Sequence, residues 1–132
     1  MITWRADATL LDMTFYADVN ALLGADAATW IVTSTWRDKA TQAAGRAAFL
    51  ADPKHNPRYA DPDTSAHCVT PARAVDVTLV VNGQDEWDYA DDNWRRLYAT
   101  ILAHPRLHSG ISFGDGDHIE QLHWKALAAT HD

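Results

Sequence analysis

His67, Asp76 and His118 offer two imidazoles and one carboxylate. That donor set suits zinc with one position left open for water, whereas a structural site normally closes with a fourth protein ligand. His67 and Asp76 belong to "SAHCVTPARAVDV", and Asp76 lies within an apolar run that reads as a buried strand. Aspartate is a poor strand former and a costly charge to bury unpaired, so its presence there needs a compensating partner. His118 follows "GDGD" at the start of a short apolar stretch. Asp115, three residues earlier, could stand beside a metal-activated water and accept its proton. Asp117 competes for that role, although adjacent residues in an extended chain tend to face opposite ways. Arg37 follows the run "WIVTST", and a guanidinium there could bind a carboxylate or steady an oxyanion.

By spacing alone other readings stay open. Asp76 could pair with Arg73 or cap a turn, Asp115 and Asp117 could be ordinary Gly-Asp turn residues, and Arg37 could be a surface charge. Cys68 beside His67 raises a Cys–His nucleophile, but neighbouring side chains in an extended segment diverge, and a lone thiol fits a small buried residue better. Of the seven histidines, those at 55, 104, 108, 123 and 131 need no special role.

The elements that must position these groups follow from periodicity. Leu11, Phe15, Val19, Leu22 and Leu23 recur at helical spacing, with Gly24 as the expected C-terminal cap. "TWIVTST" predicts a short buried strand. Thr35 with Asp38 three residues on predicts a helix start, running through "WRDKATQAAGRAAFLAD". The segment 52–66, with three prolines, predicts a long loop. "ARAVDVTLVV" is the strongest strand, with Val75, Val77, Leu79 and Val81 on one face and Asp76 on the other. "NG" at 82–83 predicts a turn. A helix is expected from Trp87 to Ala103, stopped by Pro105, with Trp87 and Trp94 on its inner side. "RLHSGISFGDGDHIEQLHW" predicts turns and short strands, and the tail a short helix. Helices and strands do not alternate regularly, so the expected fold is α+β with a small antiparallel sheet packed with helices.

Composition bounds the function. The chain of 132 residues is long enough for one domain with one core. A net charge of −7 argues against nucleic-acid binding, which needs a basic face. There is no apolar run of about 18 residues to enter a membrane, and the start of the chain lacks a secretory pattern, so synthesis in the cytoplasm is the expectation. The single cysteine, Cys68, excludes an internal disulfide and a multi-cysteine zinc cage.

These residues, taken together, resemble the zinc peptidases that cleave bacterial cell-wall stem peptides. These are the D-alanyl-D-alanine carboxypeptidases and dipeptidases and the phage L-alanyl-D-glutamate endolysins, which share their fold with the Hedgehog signalling domain. "VTSTWRDKATQ" supplies Arg37 and Gln42. "SAHCVTPARAVDV" supplies Ser65, His67, Ala74 and Asp76. "DGDHIEQL" supplies Asp115 and His118. The order matches the family pattern, and the three pieces span most of the chain. The resemblance implies Zn2+ held by His67, Asp76 and His118, Asp115 as general base, and Arg37 as the residue that anchors substrate or steadies the oxyanion, with Gln42 and Ser65 on the substrate side. Asp rather than Glu at position 115 is similar to the endolysin branch rather than to the vancomycin-resistance dipeptidases. One departure concerns spacing: eight residues separate His67 from Asp76, with Pro71 and no glycine among them, where the family uses fewer and includes a glycine.

The expectation is therefore a single-domain, monomeric zinc peptidase of peptidoglycan, of phage or prophage endolysin type, acting on the wall after release from the cytoplasm. The alternative is a catalytically silent binding module of the same fold.

Overall fold

A computed structural model describes residues 1–129; His131 lies outside them. The order of elements is β1 (Ile2–Trp4), α1 (Met13–Ala25), β2 (Thr29–Ser34), α2 (Lys39–Ala51), β3 (Ala74–Val81), β4 (Gln84–Glu86), α3 (Asp92–Ala103), β5 (Leu107–Ser109), β6 (His118–Gln121) and α4 (Trp124–Ala129), with short 3-10 turns between. The strands form one sheet in the order β1-β2-β3-β6-β5, and β4 also pairs with β3. β6 and β4 share one edge of β3, β6 opposite Ala74 to Asp76 and β4 opposite Leu79 to Val81. The α+β expectation therefore holds. The sheet is antiparallel except at its edge, where β1 runs parallel to β2.

Alternation along β3 divides the protein. Val75, Val77 and Leu79 point to one face, opposite Ile119, Val32 and Trp30 of the neighbouring strands. α1 adds Phe15, Val19 and Leu23, and α3 adds Trp94, Leu97 and Ile101, all essentially inaccessible to water. The four-residue spacing in α1 makes one apolar stripe, which is why this segment is a helix laid on the sheet. The other face carries Asp76, directly opposite His118, and Ala74, directly opposite Glu120. A bulge between Val32 and Ser34 brings Ser34 opposite Asp76 on the other side. A smaller apolar cluster of Ala66, Ala74 and Trp124 closes one end of this second face.

Three element boundaries differ from the sequence expectation. α2 starts at Lys39, capped by the Asp38 carboxylate accepting from the Thr41 amide, not by Thr35. The Thr35 hydroxyl instead donates to the Asp7 carbonyl, and the Arg37 amide donates to the His67 carbonyl, so the chain stays extended up to Asp38. α3 starts at Asp92, capped by Asp91, so Trp87 is outside the helix, stacked on Trp94 at 6.3 Å. α1 ends at Ala25 with Asp26 as its C-cap, so Gly24 is still inside its last turn. The loop at 52–66, β3 and β6 fall where the sequence places them.

Candidate metal centre

β3 and β6 supply Asp76 and His118 from adjacent strands in direct register. His67 arrives from the end of the long loop. The segment between His67 and β3 is tied back at both ends, by the Cys68 amide to the Ser65 carbonyl and the Arg73 amide to the Ala66 carbonyl. This bulged return absorbs the long His67–Asp76 spacing. His67 Nε2 ends 3.2 Å from Asp76 Oδ1, and His118 Nδ1 ends 3.5 Å from the same oxygen. One ligand atom from each of the three residues lies within 4.8 Å of the others.

The remaining ring nitrogens are oriented from outside. His67 Nδ1 lies 2.6 Å from the Thr35 carbonyl, which fixes the proton on Nδ1 and turns Nε2 to Asp76. His118 Nε2 lies 2.7 Å from Glu120 Oε1, leaving Nδ1 for the centre. Imidazole ligands with an outer carbonyl or carboxylate partner are the usual arrangement around a metal. Two nitrogens and one carboxylate, aimed inward and buried or half-buried, therefore fit a zinc ion with an open position. Sequence reasoning does not single out Glu120. The signal is period two in β6, which puts its side chain on the same face as His118.

The electrostatics are those of a tight charge cluster. Burial would raise the Asp76 carboxyl, but the His67 charge and hydrogen bonds from both imidazoles hold it well below the usual carboxylate range. Burial would lower the His118 imidazolium, and the Asp76 and Glu120 carboxylates overcome this and push it up to about 10. Asp117 moves the other way: burial, the Asp76 charge and a hydrogen bond to Asp115 push it up to about 8. Asp115 Oδ2 lies 3.9 Å from His118 Nδ1.

Arg37 reaches the same centre. One terminal nitrogen donates to Gln42 Oε1 at 2.7 Å, and the other to Ser34 Oγ at 2.7 Å and Asp76 Oδ2 at 3.1 Å. Its guanidinium carbon stands 4.8 Å from the centre of the Tyr59 ring. Gln42 is buried, and its amide nitrogen donates to the Ala60 carbonyl, so both ends of that amide are engaged within the protein. Ser65 is also buried, with its hydroxyl accepting from the His67 amide. Arg73 does not pair with Asp76; it donates to Gln121 and approaches Asp12. Burial pushes the Cys68 thiol up, which disfavours the thiolate a nucleophile needs.

The centre opens onto a cleft of about 570 Å³. Its lining includes Arg37, Gln42, Ser65, His67, Asp76, Asp115, Asp117 and His118, so the structure brings every sequence-predicted site residue to one place. Tyr59, Phe113 and Trp124 add aromatic walls that only the fold reveals.

No known family profile matches the chain, and no curated protein matches it. Among solved structures, it is similar to the L-Ala D-Glu endopeptidase ChiX of Serratia marcescens, with 18% identity over 86% of this chain and 82% of that one and a TM-score of 0.55. The likeness is one of fold: the α+β architecture described above is shared with that endopeptidase.

Proposed function

We propose that this chain is a single-domain, zinc-dependent peptidase that hydrolyses peptidoglycan stem peptides, at the L-Ala–D-Glu or D-Ala–D-Ala bond, in the manner of a phage or prophage endolysin. The observation that carries the reading is the convergence of His67, Asp76 and His118 within 4.8 Å at the base of an open cleft. The peptidase fold of the Serratia protein supports it. Among the described residues no helix is long and apolar enough to cross a membrane.

His67 Nε2, Asp76 and His118 Nδ1 would hold the metal. Zinc supplies a Lewis acid for the scissile carbonyl and lowers the pKa of water. Asp115 takes the proton of the attacking water and returns it to the leaving amine as the C–N bond breaks, leaving a new carboxylate and an amine. Asp117, across Gly116 from Asp115, lines the same cleft beside the base. Arg37, its fork fixed by Gln42, Ser34 and Asp76, faces the cleft to steady the oxyanion or grip a substrate carboxylate. Gln42 and Ser65 shape the substrate wall.

Elemental analysis after zinc reconstitution should give about one zinc per chain, in keeping with a three-ligand site. Purified peptidoglycan should be cut in a chelator-sensitive reaction, with the bond identified by mass spectrometry of the muropeptides. Absence of metal after reconstitution, or cleavage indifferent to chelator, overturns the proposal; bound zinc without turnover favours the silent binding module. Asp115→Ala should keep zinc and lose on the order of 10²–10⁴ in rate. A fully active Asp115→Ala beside an inactive Asp117→Ala would exchange the two roles.

A further inference from the structure

Arg58 and Lys125 line the cleft from two different elements, the 52–66 loop and α4. Both are exposed. Several cations of this acidic chain have no salt-bridge partner among the described residues, and Arg58 and Lys125 are the two of them that line the cleft. Arg37 is paired with Asp76, and Lys39, Arg96 and Arg106 each sit on an aspartate. Arg58 and Lys125 pair with no carboxylate among the described residues, although four acidic side chains line the same cleft.

Their head groups are seated on aromatic rings. The Arg58 guanidinium carbon lies 5.9 Å from the centre of the Phe113 ring, and Lys125 Nζ lies 5.7 Å from that of Trp124. Phe113 in turn meets the His118 ring edge-on at 5.7 Å, and Trp124 packs with Ala66 beside His67. Arg58 is thus one aromatic ring from the proposed ligand His118, and Lys125 is one ring from the residue that precedes His67. An aromatic seat keeps a cation at its station without neutralising it, so its charge remains available to an incoming anion.

We propose that Arg58 and Lys125 are specificity-determining residues that bind free carboxylates of the substrate peptide, so that acidic stem peptides are taken and amidated ones disfavoured. The inference rests on the peptidase reading above. In a stem peptide the glutamyl residue continues the chain through its side-chain carboxyl, which leaves its α-carboxylate free beside the L-Ala–D-Glu bond, and the C-terminus offers another. A guanidinium fork matches a carboxylate with two parallel hydrogen bonds, and an ammonium serves as a point charge. Amidation removes the negative charge and half of the acceptors.

The test uses the full chain loaded with zinc and two synthetic stem pentapeptides, identical except that the glutamyl α-carboxyl is free in one and amidated in the other. Either candidate bond can be cut in both. The wild-type protein should favour the acid peptide by about tenfold in kcat/KM, mainly through KM, the discrimination one charge-assisted hydrogen bond supplies. The double variant Arg58→Gln, Lys125→Gln should bring that ratio close to one with zinc content unchanged. Lys54→Gln, an exposed cation outside the cleft, should keep it. Equal cleavage of both peptides by the wild type, or a preference that survives the double substitution, overturns the proposal and leaves the peptidase reading standing. Cleavage of neither peptide removes both.

Discussion

The wall that carries Asp115, Asp117 and His118 and the wall formed by residues 52–66 are each seated through a glycine, and they rest on different foundations. A Cβ at Gly116 would stand 2.7 Å from the Tyr89 ring, and one at Gly110 would collide with the Asp115 carbonyl. Beneath Gly116, Tyr89 packs edge-on against Trp94 at 5.0 Å, and the Tyr98 hydroxyl donates to the Gly116 carbonyl. Trp94 is fully buried in the main core, so the turn that aims the base and one ligand is continuous with that core. On the opposite wall a Cβ at Gly45 of α2 would meet the Tyr59 ring at 2.7 Å. There the other supports are polar: Gln42 to the Ala60 carbonyl, Arg46 to the Tyr59 carbonyl, and the exposed Lys39–Asp63 pair. Exposed pairs contribute about 0–1 kcal/mol, so this wall can shift without disturbing the sheet. The proposed base and one proposed ligand are thus built on the core, and the residues proposed to admit substrate are built on the surface.

The largest effect expected on either wall is loss of the metal. His118→Ala and His67→Ala should each abolish zinc binding measured by elemental analysis, and with it peptidoglycan cleavage. Retention of stoichiometric zinc by either variant would remove that histidine from the centre.

The next effect separates the walls. Gly116→Ala must push the turn off Tyr89 and should cost about 1–3 kcal/mol of stability in denaturant unfolding, with weakened zinc binding. Gly45→Ala should leave zinc in place and change stability little. An alanine inside a helix is itself favourable by up to about 1 kcal/mol, offsetting the displaced ring. Its signature should be a raised KM through the displaced Tyr59 and Arg37. Equal destabilisation by the two substitutions would refute the contrast.

A further effect is in the pH dependence of the metal-free protein, and it reports on groups of the core-built wall. Asp117 titrates at about 8 in the folded chain against an ordinary value near 3.8. Between those values the native state holds a proton that the unfolded chain has lost, so stability falls as pH rises through the window. His118, raised from 6.5 to about 10, adds a fall of the same sign at higher pH. Asp76, held low, acts oppositely: its contribution is present above the ordinary carboxylate range and is lost only in acid. Melting temperature in chelator should therefore decline between about pH 4 and about pH 10, and Asp117→Asn should flatten the part of the decline below about pH 8. A flat wild-type profile would mean that Asp117 and His118 are not held in these states.

Much of this was legible in the sequence because it depends on alternation. Asp76 stands out because a charge interrupts an apolar strand, and His118 because it follows two Gly-Asp pairs at a strand start. The errors arise where a local pattern met a long-range bond. Thr35 fits a cap, but the Arg37 amide is bonded to the His67 carbonyl and keeps that stretch extended. Trp87 fits the apolar side of the next helix, and it does stack on Trp94, but from outside the helix. Tyr59 under Arg37 joins segments far apart in sequence, and no periodicity encodes such a pair. Asp117 flanks the same glycine as Asp115, and the burial that raises its carboxyl is revealed only by the fold.

The bulged return between His67 and Asp76 bears on how such chains can diverge. Two ligands are held by the pairing of β3 with β6, and the third hangs from a connection outside the sheet. Residues can be gained or lost in that connection without turning a ligand away, whereas one insertion inside β3 would point Asp76 into the apolar interior. The count of residues between the first two ligands is thus free to drift over generations, while their facing positions are not.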